Sequence, residues 1–218
     1  MKYVLCYGDS NTYGYNPNIG RRSRYPKDKR WPNILQNLLG EDFEVYPEGL
    51  NGRTTAYDRP GFYWKNGLQP LPAILGSHKP LDYVVFMLGT NDCNVEMGLS
   101  SEQIAEGMEQ LVLTTREMAI VQQERIPQIV IVSPAPILED YQSSPFSDEL
   151  DISSVRKSRE LSNLYKSLCS KYECLFVNAE QSGVEVSTLD CEHLTENGHR
   201  TLAEIVYKTI IDNEEKLK

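Results

Sequence analysis

The sequence predicts an open α/β fold with a parallel five-stranded sheet in the order 2-1-3-4-5, and three features of the chain predict it. Short runs rich in Val, Ile, Leu and Tyr alternate with longer segments whose apolar residues recur every three or four positions, as parallel strands joined by helical crossovers require. The first and third runs are apolar throughout, which suits strands covered on both faces, whereas the second alternates apolar with polar as an edge strand does. Each of these runs empties into glycine, acid, amide or hydroxyl residues. Polar side chains therefore collect at the carboxyl ends of the strands, where open parallel sheets bind their ligands.

Taken in order, Tyr3-Val4-Leu5-Cys6-Tyr7 is a buried strand that breaks off at Gly8-Asp9-Ser10-Asn11, which leaves Ser10 at its end. Residues 15–29, rich in Asn, Pro, Arg and Lys, read as an exposed loop. Arg30 to Gly40 then reads as a short helix closed by its glycine. Phe43-Glu44-Val45-Tyr46 is the edge strand, and Gly49-Leu50-Asn51-Gly52-Arg53-Thr54-Thr55 is its exit. A loop with Asp58, Arg59, Pro60 and Gly61 leads to a helix over 71–78. The central strand Leu81-Asp82-Tyr83-Val84-Val85-Phe86-Met87-Leu88 follows and ends in Gly89-Thr90-Asn91-Asp92.

Ile104, Met108, Leu111, Val112, Thr115, Met118 and Ala119 place an amphipathic helix over 102–124. Gln128-Ile129-Val130-Ile131-Val132 is the fourth strand. The segment 139–151 has no period and is rich in Ser, Pro and Asp, so it reads as a long surface loop, a candidate lid or subunit contact. Leu161, Leu164, Tyr165 and Leu168 mark the next helix and Leu175-Phe176-Val177 the fifth strand. Thr195 caps a last helix that buries Leu202, Ile205, Val206 and Ile210. The three-layer αβα sandwich that results is flavodoxin-like, with residues 1–218 as one domain, and it sets Ser10 and Asn91 across the crevice between the first and third strands.

With 218 residues, of which 40% are hydrophobic and 24% charged, the chain can bury a sizeable core. A formal net charge of −9 argues against a nucleic-acid or anionic-membrane partner and leaves room for a small neutral or cationic ligand. Asp9 interrupts the first apolar run too early for a signal segment, and no run approaches the ~20 residues of a spanning helix. These features predict a cytoplasmic protein. Five cysteines without a Cys-x-x-Cys pair fit neither a disulfide framework nor a zinc site, and read as reduced, mostly buried thiols.

Four polar exits thus share one rim: Ser10, Gly52, Asn91, and Asp190 with His193. Acyl transfer needs a nucleophile, a base, an acid to orient the base, and donors aimed at a developing oxyanion, and each part has a candidate here. Gly8-Asp9-Ser10-Asn11, the Gly52 block, Gly89-Thr90-Asn91-Asp92 and Asp190-Cys191-Glu192-His193, in this order along nearly the whole chain, resemble the SGNH (GDSL-type) hydrolases. The likeness is greatest to the small cytoplasmic arylesterase and acetylxylan-esterase branch.

The resemblance implies Ser10 as nucleophile, His193 as base and Asp190 as its orienting acid. It also implies an oxyanion hole of the Ser10 and Gly52 N–H groups and the Asn91 amide. It further implies a serine carboxylester hydrolase for short-chain, acetyl-type esters, acetylated sugars among them. An acyltransferase side activity, no metal or organic cofactor, and a homo-oligomer go with it. Asn11 departs from the leucine of the family motif and Asn51 from a frequent serine.

The residue chemistry agrees: a serine hydroxyl needs a base, histidine titrates near neutral pH, and a carboxylate three residues before it can fix its tautomer. Each residue also has a plainer reading. Asp190 and His193 can be a loop pair and Asn91 a turn residue, while His78 and His199 read as structural and Asp9 as a brace for the turn. Asn11, Tyr13, Tyr15 and Trp31 are the candidates for the substrate pocket, and Arg53 for a salt bridge that holds the second loop. A non-catalytic alternative is a flavodoxin-like module holding FMN or another small ligand in the same crevice, although Asp9 and Asp92 bring repulsive charge to a phosphate there.

Overall fold

The computed structural model describes residues 1–20, 23–123 and 125–216. Its sheet runs β2-β1-β3-β4-β5, formed by β1 (Lys2–Gly8), β2 (Phe43–Gly49), β3 (Tyr83–Met87), β4 (Gln128–Ser133) and β5 (Leu175–Asn178). All four pairings are parallel, as the alternation of strand and helix predicts.

Side chains along each strand divide by parity between two cores. Leu5, Tyr7, Val84, Phe86, Ile129 and Ile131 face one layer of helices, α3 (Leu71–His78), α4 (Ser101–Gln123) and α5 (Ile152–Tyr172). Val4, Cys6, Val85, Val130 and Val132 face the other, α2 (Trp31–Leu39) and α6 (Glu196–Lys216). With both faces covered, the central strands are apolar at every position, and each fully buried Leu or Val contributes about 1.5–3 kcal/mol. No helix among the described residues is long and apolar enough to cross a membrane.

The register fixes where the exits meet. Gly8 pairs with Gly49 on one side and Met87 on the other, so the first three strands stop at one level and their loops open onto a common rim. Gly8 has no room for a side chain there, because a Cβ would fall 2.1 Å from Thr12 Oγ1 and 2.8 Å from the Met87 carbonyl.

Two elements differ in extent from expectation. α5 starts at Ile152, well before Leu161, because its first turns hold the neighbouring loops through serines instead of apolar residues. Ser154 Oγ donates to the Cys93 carbonyl (2.8 Å), and Ser158 Oγ accepts the Ile137 N–H (3.0 Å). A capping box of Asp151 with Ser154 sets the start. α4 begins at Ser101, and the expected helix end at Glu124 lies outside the described residues, as do Arg21 and Arg22 of the 15–29 loop. The five cysteines are free, and all but the half-buried Cys174 are buried.

Candidate active site

α1 (Ser10–Tyr13) is a single turn that begins directly beyond β1. Asp9 caps it by accepting the Asn11 N–H at 2.9 Å, and this leaves the Ser10 N–H without an acceptor among the described residues. The bond to Asn11 braces the turn, as expected, and burial drives the Asp9 carboxyl up to about 6.

The structure brings Ser10, His193 and Asp190 into one hydrogen-bonded line. Ser10 Oγ lies 2.8 Å from His193 Nε2, and His193 Nδ1 lies 2.9 Å from Asp190 Oδ2. The second carboxylate oxygen of Asp190 accepts the His193 N–H at 3.1 Å, so this acid holds both ring and backbone of the histidine. All three residues are buried. Burial draws the imidazole pKa down, but the Asp190 hydrogen bond and the Glu192 and Asp190 charges outweigh it and leave the pKa above its ordinary value.

Asn11 brackets the histidine loop from the other side of the crevice. Its Nδ2 donates to the Glu192 carbonyl (3.2 Å), and its Oδ1 accepts the Leu194 N–H (2.9 Å). It therefore clamps the segment carrying His193 and does not line the cavity, contrary to expectation.

The second and third exits are tied to each other. Asp92 accepts the Thr55 N–H at 3.0 Å and the Thr55 hydroxyl at 2.6 Å, and Asn91 Nδ2 donates to the Arg53 carbonyl at 3.1 Å. That bond occupies one amide hydrogen and orients the other. Arg53 makes no salt bridge among the described residues: its guanidinium donates to the Gly8 carbonyl (2.9 Å) and the Glu48 carbonyl and lies 4.0 Å over the Tyr7 ring. The loop is held as expected, but through backbone acceptors. Gly52 sits at φ 78°, a conformation that favours glycine, and its N–H takes no acceptor among the described residues.

A cavity of ≈ 290 Å³ opens over these groups. Ser10, Gly52, Asn91 and His193 line it, together with Tyr15, Asn51, Arg59, Phe62, Lys65, Phe146, Glu149 and Glu192. Of the expected pocket residues only Tyr15 is present, its ring 4.2 Å from that of His193. Trp31 is a correction: it is fully buried on α2 in the core toward α6, and its backbone N–H meets His199 Nδ1 at 3.4 Å. Tyr13 turns away under the Arg24 guanidinium, which lies 4.0 Å from its ring. His199 is structural, with burial lowering its pKa to about 3, and His78 pairs with Glu48 at 2.9 Å.

Residues that sequence reasoning missed come from the loops. The 139–151 segment packs onto the site, where Ser144 Oγ donates to the Asp190 carbonyl (2.7 Å) and Phe146 and Glu149 form part of the wall. Arg59 joins Glu96 and Glu149 in an ion-paired cluster. Glu192 lies 3.7 Å from His193 Nδ1, and burial pushes its carboxyl up to about 7.

The sequence model of the GDSL-like lipase/acylhydrolase family matches residues 6–201. The chain belongs to this family. The class of this GDSL-family chain is that of carboxylic ester hydrolases. Among solved structures, the family member is similar to a carbohydrate acetylesterase from Sinorhizobium meliloti, at 31% identity and a TM-score of 0.89 over 97% of this chain and 99% of that one. It is likewise similar to an aryl esterase from M. smegmatis, at 32% identity and a TM-score of 0.90 with the same coverage. An acetylxylan esterase from Xylanibacter ruminicola is 25% identical over 95% of this chain, which spans only 42% of that curated relative.

Proposed function

We propose that the chain is a serine esterase that removes short acyl groups, acetyl foremost, from sugar or aryl esters. The observation that carries this reading is the unbroken line from Ser10 Oγ through the His193 ring to Asp190 at the floor of a small cavity. Ser10 Oγ attacks the acyl carbon while His193 Nε2 takes its proton, and Asp190 holds the tautomer that keeps Nε2 free and stabilises the imidazolium. The Ser10 and Gly52 N–H groups and the oriented amide of Asn91 receive the oxyanion. Collapse expels the alcohol with the proton from His193; water, giving its proton to His193, then attacks the acyl-serine, and a second collapse releases the acid and returns the proton to Ser10 Oγ. The names of the acetylesterase relatives support the acetyl group and the saccharide.

The size of the cavity sets the acyl preference. At ≈ 290 Å³, with Tyr15 and Phe146 closing one side, it is at the small end of ligand pockets. Acetate and butyrate p-nitrophenyl esters are expected to outrun octanoate and longer esters, without a jump on micelle formation. An open acyl tunnel would add ~0.8 kcal/mol of binding per CH₂, so a steady rise of kcat/KM up to dodecanoate would overturn the short-acyl reading.

The base works only as neutral imidazole, so kcat/KM is expected to rise with pH through the elevated His193 pKa. Where Glu192 is ionised, above its own elevated pKa of about 7, replacing it by Gln removes one of the charges that favour the imidazolium. The acid limb of the profile then moves to lower pH. A limb unmoved by Glu192→Gln would show that this carboxylate does not act on the base.

A further inference from the structure

At the cavity rim begins a run of three exposed aromatic side chains, Phe62, Tyr63 and Trp64, at 40%, 61% and 64%; Phe62 lines the cavity and Trp64 packs against it. Large aromatic rings gain most from burial, so three neighbours left in solvent on one turn, beside a catalytic cavity, mark a contact surface. The turn is held firmly. Asn66 donates to the Ala56 carbonyl and to Asp58, the Thr54 N–H bonds the Lys65 carbonyl, and Arg59 is tied to Glu96 and Glu149. Phe62 forms the cavity lip, with the Lys65 ammonium 4.5 Å over its ring and Trp64 edge-on at 5.5 Å.

The polar groups next to this surface say what it fits. Lys65 reaches beside Gly52, where an added Cβ would lie 2.6 Å from its Nζ, and its ammonium has no hydrogen-bond or ion-pair partner among the described residues. Asn51 in the same wall has its side-chain oxygen unpaired, and Glu192 offers a carboxyl across the cavity. An exposed aromatic rim beside a cavity that offers the Lys65 ammonium, the unpaired Asn51 oxygen and the Glu192 carboxyl suits a ligand with apolar ring faces and hydroxyl edges. A pyranose has both. An aliphatic or aryl alcohol has no hydroxyl edge to use Lys65 or Asn51.

We propose that Phe62, Tyr63 and Trp64, with Lys65 at the cavity mouth, form a saccharide subsite that holds the sugar units beyond the one whose ester lies over Ser10. The enzyme would then act on acetylated oligosaccharides in preference to acetylated monosaccharides. This inference rests on the esterase reading above. In it Trp64 is a specificity-determining residue for the leaving alcohol, with no part in the acyl chemistry.

The test compares full-length wild type, Trp64→Ala and Trp64→Phe on p-nitrophenyl acetate, an acetylated methyl xyloside and acetylated xylotetraose, with sedimentation velocity on each protein. The ratio of kcat/KM for the tetraose to that for p-nitrophenyl acetate is expected to fall about tenfold in Trp64→Ala, mostly through KM, and to recover largely in Trp64→Phe. A ratio unchanged by Trp64→Ala overturns the subsite. If the sedimenting mass changes instead, the aromatic surface is a contact between copies of the chain. Wild type that cleaves p-nitrophenyl acetate but no acetylated saccharide also overturns the subsite and leaves the esterase reading standing. Inactivity on every ester, with Ser10 unlabelled by a phosphonate, removes both.

Discussion

Ser10→Ala is expected to abolish ester hydrolysis, lowering kcat on the order of 10⁴-fold or more, with the fold and thermal stability little changed. The hydroxyl is the atom that would bond to the acyl carbon, and nothing adjacent can replace it. Thr12, on α1 itself, is buried with its hydroxyl against Gly8, and burial holds a cysteine such as Cys93 as a neutral thiol. Loss of the Oγ–Nε2 bond costs one hydrogen bond of about 1 kcal/mol, small against the stability of a domain of this size. A serine-directed phosphonate should label Ser10 alone in the wild type and leave Ser10→Ala unmodified. Peptide mapping locates the adduct. Turnover retained at tens of per cent, or labelling at another residue, would remove Ser10 from the mechanism.

Asn91→Ala is expected to lower kcat by roughly 10²- to 10³-fold with KM nearly unchanged, the cost of removing one oxyanion donor. The split follows from timing. In the proposed mechanism the oxyanion charge develops only as Ser10 attacks, so the amide would act most strongly in the transition state and contribute little to binding the neutral ester. The bond from Asn91 Nδ2 to the Arg53 carbonyl matters here, because it holds the amide in place before substrate arrives. Its loss also frees the Gly52 loop at one point, but Asp92 still holds that loop through Thr55. The loop geometry should therefore survive the substitution. A rise in KM with kcat preserved would make Asn91 a substrate-binding residue.

How much of this was legible in the chain depends on the range of the interactions involved. The strand order, the two-sided burial of β1 and β3, the edge character of β2 and the shared rim of polar exits follow from local patterns. Apolar periodicity reports which faces are covered, and a polar glycine-rich break reports where a strand ends. Ser10, Gly52, Asn91 and His193 were found because each stands at such a break, or in a motif whose spacing is itself short-range.

The walls of the cavity followed another rule. Tyr13, Asn11 and Trp31 are near Ser10 or near an expected loop in the sequence. Yet Arg24 holds Tyr13 outward, the His193 loop engages both polar atoms of the Asn11 amide, and Trp31 fills the core against α6. The residues that do line the cavity arrive from loops without period, and long-range contacts position them. Arg59 meets Glu149 across 90 residues, Ser144 fastens the 139–151 segment to Asp190 across 46, and Lys65 packs beside Gly52 only because the 59–66 turn folds back over it. The sequence by itself determined the sheet and the polar rim, since those depend on which residues repeat and where the repeats break. The tertiary structure alone decided which side chains wall the cavity. A loop side chain's direction is set by partners far along the chain, and no local pattern encodes them.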